Sequence, residues 1–470
     1  MDITPLRTKL AAIGQDHLLR FFNQLGEASK HKLVAQIQSL DPERIDDLVQ
    51  TQVKQKAAIP LPTDIKPVDA CPHKADARRA EVYQRAAARG EELLRAGKVG
   101  AFLVAGGQGT RLGYDGPKGE YAVTPIRSKP LFQVFAEQLL AHSRLSGKAI
   151  PWYIMTSDAN DTATRTFFER NNYFGYDHGN IMFFQQGMMP AFSMDGKILM
   201  AGKDSLALSP DGHGGSLRAL SRSGALADMK KRGVEHLSYF QVDNPLVHCI
   251  DPLFIGLHDV TGSEMSSKTI PKAEALEKVG NFVIGDGVLQ VIEYSDLPKE
   301  MALMKNSDGS LRFNAGSIAI HALRVSFIER LNMGGTLLLP WHRAEKKVAY
   351  IDDSGTEVKP TEPNAVKLEQ FVFDAIPLAK NAIVYETERA EEFSPVKNAE
   401  GVDSPATCRR DQIRRAARWL RDAGVSVPMR GNEPDAKLEI SPVFAPNVER
   451  LKARKLPVTE ISAGQSLYLE

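Results

Sequence analysis

The chain has few cysteines, and the three that it has are far apart. Cys71, Cys249 and Cys408 form no CxxC pair in the 470 residues. An odd number of widely spaced cysteines argues against a disulfide framework and against structural zinc, and it suits a reducing compartment. Cys71-Pro72-His73 looks like part of a metal site, but no partner pair follows at finger spacing. We therefore expect a cytoplasmic protein without structural zinc.

The chain also lacks a charge excess and a long apolar run. Lys and Arg number 59 and Asp and Glu number 58, so the formal net charge is +1. Such a balance creates no field that would attract nucleic acid or an anionic membrane. No stretch approaches the ~20 apolar residues that span a bilayer, and the first segment, MDITPLRTKLAAIGQDHLLRFF, has no continuous signal-peptide core. We expect no nucleic-acid or membrane partner, so any phosphate ligand needs a local cluster of positive charge.

Residues 1 to about 58 follow a helical pattern of apolar positions. Leu18, Phe22 and their apolar neighbours recur at helical spacing, which predicts amphipathic helices. Asp41-Pro42 suits a helix start, with Asp as the N-cap and proline in the first turn.

Two further segments precede the main pattern. Residues 59–78 are rich in proline and charge and are predicted to form a linker. Residues 79–97 are predicted to form a helix that ends at Gly97, where a left-handed glycine closes the last turn.

From Val99 onward, short apolar runs alternate with helical segments. This alternation predicts the α/β class, with a mostly parallel, doubly wound, Rossmann-like sheet after an N-terminal helical region. Ligands bind at the carboxyl ends of the strands in such sheets. The end of the chain contains a basic helix and short strand-like pieces, which predict a small C-terminal α+β domain. The predicted divisions are residues 1–95, 96–395 and 396–470. The runs that predict strands are VGAFLVAGG, PWYIMTS, IMFFQQ, LSYFQVDN and SEMSSKTI, and those that predict helices are KPLFQVFAEQLLAHSRLS and DTATRTFFERNNYF.

A glycine-rich loop follows the first of these strands. The sequence LVAGGQGTRLG, followed by PKG, places Gly106, Gly107 and Gly109 where backbone amides can approach a ligand without a Cβ in the way. Such a run of amide donors is typical of phosphate and nucleobase sites. Arg111 and Lys118 add two positive charges in the same loop.

Two known glycine motifs do not fit this loop. A Walker A motif requires Ser or Thr after its lysine, and Lys118 is followed by Gly119. The dinucleotide fingerprint GxGxxG is absent from the loop as well. A simple glycine-rich turn remains the structural alternative, but it does not explain the arginine and the Pro-Lys pair.

With these residues the loop resembles the signature of nucleotide-sugar pyrophosphorylases. The motif GGQGTRLG…PKG is similar to the one found in the eukaryotic-type UTP–sugar-1-phosphate uridylyltransferases. Further blocks resemble UDP-N-acetylhexosamine pyrophosphorylases in the same order, over roughly residues 90–445. These blocks are FFQQGMMPAF, PDGHGGSLRAL, FQVDNPLVHCIDPLFIG, VGNFVIGDGVLQVIEYSDLP, FNAGSIAIH, KLEQFVFD and EEFSPVKNA.

The resemblance implies which residues bind the nucleotide. Gly106 and Gly107 match residues that hold the uracil and the nucleotide through backbone groups. Gln186 would read the base edge, since a side-chain amide can both donate and accept, as uracil does. Gly212 would face the base from the other side. From the residues alone, Gln186 could equally be a surface glutamine.

The resemblance also implies a set of charged residues around the phosphates. Arg111 and Lys118 match the positions that bind the β- and γ-phosphates, and Lys397 matches the lysine that reaches the sugar phosphate and the α-phosphate. Asp243 would bind Mg²⁺, which prefers one or two carboxylates together with phosphate oxygens and water. Without the resemblance, Asp243-Asn244 could be a simple turn and Lys397 a solvated lysine.

The sugar half of the site carries one departure from the family pattern. Gly280, Glu293 and Asn314 match residues that contact the hexose hydroxyls and the 2-acetamido group. At His213 the chain reads DGHGG, where acetylhexosamine enzymes have Asn and UDP-glucose enzymes have a GHG element. His213 either contacts the sugar, which we slightly favour, or fills a glycine-rich loop.

The resemblance implies synthesis of UDP-N-acetylglucosamine and pyrophosphate from UTP and N-acetylglucosamine 1-phosphate. The attacking phosphate oxygen is already ionised, so the chemistry needs cations and positioning and no general base. The sequence accordingly shows no convincing Ser-His-Asp or Cys-His set. A UDP-glucose or broad-specificity UDP-sugar pyrophosphorylase is the first alternative, and an inactive nucleotide-sugar binding protein is the second. The oligomeric state is left open.

Overall fold

The chain forms two compact units, each assembled from segments that are distant in the sequence. A computed structural model describes residues 2–40, 42–55, 60–335 and 337–470. Since contacts and not chain order define the units, the predicted division at residues 95 and 395 stays a prediction. The smaller unit comprises Met1–Leu61, Gln186–Ser216 and Leu338–Val372. The larger unit comprises Pro62–Gln185, Leu217–Leu337 and Phe373–Glu470.

A ten-stranded sheet forms the centre of the larger unit. Four neighbouring strands are parallel, and three of them, Val99–Val104, Trp152–Thr156 and His236–Gln241, are buried along almost their whole length, as expected for strands covered on both faces. Along the sheet the order is Ile65–Pro67, Asn281–Gly285, Ala315–Arg324, His236–Gln241, Val99–Val104, Trp152–Thr156 and Ile181–Gln185. The strands off this path are Met265–Pro271, Val288–Ile292 and Ile383–Glu386.

The two ends of this sheet differ in direction. From His236–Gln241 to Ile181–Gln185 every pairing is parallel, so these strands present their carboxyl ends, and the loops that follow them, at one edge. On the other side of His236–Gln241, Ala315–Arg324 pairs with it antiparallel and leads to an antiparallel hairpin of Asn281–Gly285 with Val288–Ile292. The α/β class and the helical N-terminal region are confirmed.

Helices cover the sheet and form the rest of the larger unit. Leu131–Ser146 buries one face of the sheet with Phe132, Phe135 and Leu139, which have no exposed surface. Near the boundary between the units lies the helix Gly215–Arg222. The other helices are Ala80–Arg95, Asp161–Arg170, Ala225–Arg232, Pro252–Val260, Lys299–Ala302, Val325–Leu331, Arg389–Glu392, Pro405–Asp422 and Val448–Lys452.

The predicted elements of this unit are confirmed, with two corrections. The predicted helix DTATRTFFERNNYF ends at Arg170, because Asn172, Tyr173 and Phe174 have positive φ and cannot continue an α-helix. Gly97 ends the helix Ala80–Arg95 with a φ of +68°, as the glycine cap predicts. The predicted linker 59–78 is wrong in part, because Ile65–Pro67 is an edge strand and Cys71 forms a backbone bridge with Tyr385. Three residues with one proline are too short to show a strand period, so the sequence pattern could not reveal them.

The smaller unit combines helices with short antiparallel strands around a core of its own. Its helices are Thr4–Ala12, Glu27–Ser39 and Pro42–Leu48, followed by a π-turn at Val49–Val53. Asp41, the predicted N-cap, lies outside the described residues. Its strands are Met188–Pro190, Phe192–Ser193, Met200–Gly202, Ser205–Leu206, Leu208–Pro210, His342–Lys346, Tyr350–Ile351, Glu357–Val358 and Ala365–Glu369.

One stretch of the N-terminal region is not the α-helix that its pattern predicts. Asp16–Leu19 and Phe22–Gln24 are two short 3₁₀ turns. Leu18 and Phe22 are nevertheless buried, because tight turns that follow one another can place the same apolar residues on the inside.

The C-terminal part belongs to the larger unit and contains the predicted basic helix. Pro405–Asp422 begins with a capping box in which the Ser404 side chain accepts a hydrogen bond from the backbone amide of Thr407. Lys437–Ile440 and Ser466–Leu469 form a parallel pair beside it. The short pair Met429–Arg430 and Glu433–Pro434 completes this part. No helix among the described residues has the length and apolar content that a membrane span requires.

The buried His142 makes the stability of the larger unit depend on pH. Burial lowers its pKa from the ordinary 6.5 to about 4, so the unfolded chain binds a proton that the folded chain does not. The free energy of unfolding is therefore unaffected by the protonation of this group above pH 6.5, and it decreases as the pH falls from 6.5 towards 4. We predict that His142→Leu reduces the loss of unfolding free energy between these pH values by about 3 kcal/mol, measured by urea unfolding at several pH values. The exposed His31→Leu is the control, and an equal effect of both substitutions would contradict the prediction.

Candidate functional site

The glycine loop follows Val99–Val104 and is closed by backbone hydrogen bonds. Gly109 N donates to Gly116 O at 2.8 Å, and Lys118 N donates to Gly107 O at 3.1 Å. The loop therefore folds back on itself and brings the PKG residues beside the glycines. An ideal Cβ on Gly107 would meet no atom within 4 Å, so this stretch faces open space that a ligand can enter.

A buried asparagine from the next loop holds the glycine loop in place. Asn160 Nδ2 donates to Ala105 O at 3.0 Å and to Gly107 O at 3.3 Å, and its Oδ1 accepts from Ser157 N at 2.8 Å. The side-chain amide thus fixes two parallel strand ends relative to each other. The sequence contains no signal for this role.

Close packing explains the glycine that follows Lys118. The 3₁₀ turn Lys118–Glu120 lies against the first turn of the helix Leu131–Ser146. An ideal Cβ on Gly119 would lie 2.1 Å from the ring of Phe132, a distance that real side chains cannot adopt. Gly119 therefore allows this turn to lie close to the helix. The position of Lys118 is fixed by the packing of its neighbour, Gly119, against Phe132.

The predicted phosphate-binding residues surround Lys118. The pKa of its ammonium is lowered, first by burial and then by the positive charges of Lys397 and Arg111, while the negative charge of Asp243 opposes the shift. Residues from three distant segments thus lie near enough to act on one ammonium group. The structure brings together the four charged residues that the sequence predicts.

Asp243 lies just beyond the end of the core strand His236–Gln241. Its backbone carbonyl accepts a hydrogen bond from Val396 N at 2.7 Å. Within the described residues, no group donates a hydrogen bond to its partly exposed carboxylate. A hard oxygen ligand that accepts no hydrogen bond from the described residues, near side chains that can bind phosphate, fits the preference of Mg²⁺.

Lys397 is held by a loop that returns to it at Asp403. Lys397 N donates to Asp403 O at 2.7 Å, and Lys397 Nζ lies 3.9 Å from Asp403 Oδ2. The Lys397 ammonium also lies 5.6 Å from the centre of the Phe393 ring. Burial raises the pKa of Asp403, and the charge of Lys397 opposes this shift. The Lys397 side chain stays partly exposed.

The three residues predicted for the sugar lie on adjacent antiparallel elements. An ideal Cβ on Gly280 would be 3.4 Å from Glu293 Oε1, so glycine allows the carboxylate to pass close to the backbone. Asn314 Oδ1 accepts a hydrogen bond from Lys272 N at 2.8 Å. Lys272 Nζ in turn donates to Asn281 Oδ1 at 2.8 Å. The sequence analysis did not name Lys272 as a residue that orients Asn314. Its place directly after the strand Met265–Pro271 is the signal that could have pointed to it.

The residues predicted to read the base lie in the smaller unit and contact each other. Gln186 Nε2 donates to Gly212 O at 2.9 Å. Gly212 has a φ of +84°, and an ideal Cβ there would lie 2.3 Å from Gln370 O. The loop around Gly212 therefore requires glycine for both its conformation and its packing. Gln186 is oriented by the backbone, which a merely exposed glutamine would not be.

His213 is anchored through one ring nitrogen. Its Nδ1 accepts a hydrogen bond from Val372 N at 3.1 Å, and its ring stacks on Phe371 with centroids 5.2 Å apart. Burial, with a smaller effect of His342, lowers the pKa of His213 to about 4. The ring is therefore neutral at pH 7, and its proton is on Nε2. These contacts anchor the His213 ring within its loop, and the predicted sugar contact stays a prediction.

The chain matches the family model of UTP–glucose-1-phosphate uridylyltransferases over residues 47–402. The chain belongs to this family. It is 37% identical over 478 residues to the UDP-N-acetylhexosamine pyrophosphorylase-like protein 1 of Homo sapiens, and this match covers 95% of this chain and 94% of the relative. It is 41% identical over 348 residues to the UDP-N-acetylglucosamine pyrophosphorylase of Saccharomyces cerevisiae, covering 72% and 73% of the two chains.

A solved structure shows the same fold. The crystal structure of the uridine diphosphate N-acetylglucosamine pyrophosphorylase of Trypanosoma brucei, in complex with an inhibitor, matches with a TM-score of 0.82 and 26% sequence identity. The match covers 99% of this chain and 97% of that structure. The predicted family resemblance is confirmed, whereas the roles of individual site residues stay predictions.

We predict that Gly119→Ala destabilises the uridylyltransferase by roughly 1–3 kcal/mol, because the added methyl group overlaps the Phe132 ring. In the double variant with Phe132→Leu, the smaller side chain should relieve most of this loss, so the two effects are not additive. Urea unfolding of the two single variants and the double variant measures the coupling. Strictly additive losses would show that the ring is not what excludes a side chain at position 119.

Proposed function

We propose that this chain transfers the uridylyl group of UTP to N-acetylglucosamine 1-phosphate and releases pyrophosphate. The gathering of Arg111, Lys118, Lys397 and Asp243 around one point beyond a glycine-rich strand end carries the proposal. Relatives with 37% and 41% identity are named as UDP-N-acetylhexosamine or UDP-N-acetylglucosamine pyrophosphorylases, and this supports the choice of sugar.

In the proposed reaction, an oxygen of the sugar 1-phosphate attacks the α-phosphorus of UTP. A new P–O bond forms as the bond from the α-phosphorus to the bridging oxygen breaks, and pyrophosphate leaves with that electron pair. The attacking oxygen is already ionised at neutral pH, so no residue has to remove a proton. Arg111 and Lys118 would bind the departing phosphates, and Lys397 would bind the two phosphates that become joined.

We further propose that Asp243 binds a Mg²⁺ ion. The carboxylate has no donor among the described residues, and it lies at a strand end among groups suited to phosphate. When bound, Mg²⁺ would neutralise phosphate charge and favour departure of pyrophosphate. Asp243 itself would orient the metal, and its backbone carbonyl would remain bonded to Val396.

The remaining predicted contacts are those with the sugar and with the nucleotide of the product. Gly280, Glu293 and Asn314 would contact the sugar, because a carboxylate and an amide offer the acceptors and donors that a hydroxylated ring requires. For the nucleotide end, the residues are Gly106, Gly107, Gln186 and Gly212. The proposal includes a cytoplasmic location, since all three cysteines are free thiols, which suits a reducing compartment.

A UDP-glucose or broad-specificity UDP-sugar pyrophosphorylase is the second candidate. Two observations favour it: the sequence DGHGG, and the name of the matching family, UTP–glucose-1-phosphate uridylyltransferase. His213 donates from Nε2 when its Nδ1 accepts from Val372, and this tautomer suits a sugar hydroxyl as well as an acetamido oxygen. His213 alone therefore does not decide between the sugars.

We predict uridylyl transfer to N-acetylglucosamine 1-phosphate at a kcat/KM at least tenfold above that for glucose 1-phosphate, a difference of about 1.4 kcal/mol. The assay measures pyrophosphate release from UTP with the 1-phosphates of N-acetylglucosamine, N-acetylgalactosamine, glucose and galactose at equal concentrations. Preference for glucose 1-phosphate would support the second candidate. UTP binding without pyrophosphate release for any sugar would favour a binding protein.

We predict that Asp243→Asn lowers kcat roughly 10²–10³-fold, the size expected for loss of a group that stabilises charge in the transition state. The dependence of the rate on Mg²⁺ should also shift to higher concentrations, because a neutral amide binds the ion more weakly. Titration of activity with Mg²⁺ measures both effects, with the exposed Asp422→Asn as the control for loss of a carboxylate. A rate unchanged by EDTA in the wild-type chain would contradict the metal proposal.

A further inference from the structure

The buried side chain of Asn244 joins the strand end that carries Asp243 to the segment that carries Lys397. Asn244 is 5% exposed. Its Nδ2 donates to Glu392 O at 2.7 Å, and its Oδ1 accepts from Ser394 N at 3.1 Å. Both ends of one amide are thus used on the same segment, a few residues before the lysine.

A third hydrogen bond continues this pairing to the residue next to Lys397. Val396 N donates to Asp243 O at 2.7 Å. Residues 392, 394 and 396 are therefore each fixed to Asp243 or Asn244. Because Lys397 directly follows the last of these bonds, its backbone position relative to Asp243 is set by this short ladder.

The start of the segment is anchored by a buried ion pair. Lys268 Nζ lies 2.6 Å from Glu392 Oε2 and 2.6 Å from Asp251 Oδ2, and the Lys268 and Glu392 side chains are 0% and 1% exposed. The hydroxyl of Thr387 also donates to Glu392 Oε2, at 2.7 Å. The ladder therefore begins at a residue that cannot shift without leaving a charge buried and unpaired.

The ion pair also accounts for a cluster that could be mistaken for a metal site. In the described part of the chain, His248, Asp251 and Glu392 are close enough to share an ion. The ammonium of Lys268 already lies against both carboxylates, where a cation would be held. The cluster is occupied by the chain's own charge and serves to anchor residue 392.

We propose that Asn244 is a positioning residue that places Lys397 relative to Asp243 for uridylyl transfer. The inference rests on the proposed function, in which these two residues act on the phosphates. Asn suits the position because it donates and accepts at once. Asp in its place would oppose the Glu392 carbonyl with a second acceptor, and Ala would remove both bonds.

A double-mutant cycle with Lys397 separates positioning from general stability. Asn244→Ala should lower kcat roughly 10²-fold, the effect of a misplacement of about 1 Å, and change the KM for UTP less than threefold. In a Lys397→Ala chain the same substitution should lower kcat less than about threefold, because the group that it positions is gone. Asn244→Asp, which keeps the shape, should behave as Asn244→Ala does. A full loss of rate in both backgrounds would overturn the inference.

Asn332 provides a control, because its side-chain amide also makes two hydrogen bonds to the backbone: its Nδ2 donates to Leu217 O and to Ile328 O. Any effect of Asn332→Ala on kcat should be the same with and without Lys397. If Asn244→Ala and Asn244→Asp both fail to fold, the role of Asn244 is structural and the inference falls.

Amide hydrogen exchange tests the ladder without any assay of activity. In Asn244→Ala, exchange of the peptide that contains the Ser394 and Val396 amides should accelerate at least tenfold relative to the wild type, and Asn332→Ala should leave it unchanged. Unchanged exchange in Asn244→Ala would overturn the inference. A wild-type chain that transfers no uridylyl group would overturn the proposed function, whereas the exchange result would still decide whether Asn244 holds this segment.

Discussion

The Lys268 ammonium, buried between Asp251 and Glu392, is the interaction on which the geometry of the larger unit's site depends. Burial acts to lower the pKa of Lys268, but the two carboxylates outweigh it, so the lysine stays charged inside the protein. Loss of one partner from such a buried pair typically costs about 3–5 kcal/mol. A flexible surface lysine would place no such restriction on Glu392, from which the ladder to Lys397 starts.

The C-terminal helix Pro405–Asp422 supports the same loops from outside the sheet. Arg415 donates to both Leu246 O and Glu391 O, and Ser394 Oγ donates to Asp411. Arg409 and Gln412 on the same helix donate to the carbonyls of residues 122 and 123, shortly after Lys118. One helix of the C-terminal part thus braces the loops of Lys118, Asp243 and Lys397.

Regular patterns in the sequence predicted five strands of the large sheet and its main helices, because periodicity is a local property. The loop motif pointed to Arg111 and Lys118, whereas Asp243 and Lys397 were implied only by the family resemblance. The edge strand Ile65–Pro67 could not be predicted, since three residues carry no period and its partner lies over 200 positions away. Asn160 and Asn244 were missed for the same reason: each acts through carbonyl groups that only the fold brings within reach. Gly119 stood in the motif, but its cause, the Phe132 ring, appears only in three dimensions.

Arg111 and Lys397, which are proposed to bind phosphate, lie near Lys118 in a chain that is nearly neutral overall. Lys397 and Arg111 both act to lower the pKa of Lys118, and Asp243 acts to raise it, so the buried ammonium lies near two like charges and one opposite charge. The three cations lie on two loops, the glycine loop with Arg111 and Lys118 and the loop with Lys397, and loops that were free to relax would let the like charges move apart. The packing of Gly119 on Phe132 and the ladder at Asn244 oppose such a movement, so the charges stay close enough to act together on the phosphates of the proposed reaction. Rigid loops are therefore a condition for tight and well-oriented phosphate binding, since flexible ones would first have to be ordered at the expense of affinity.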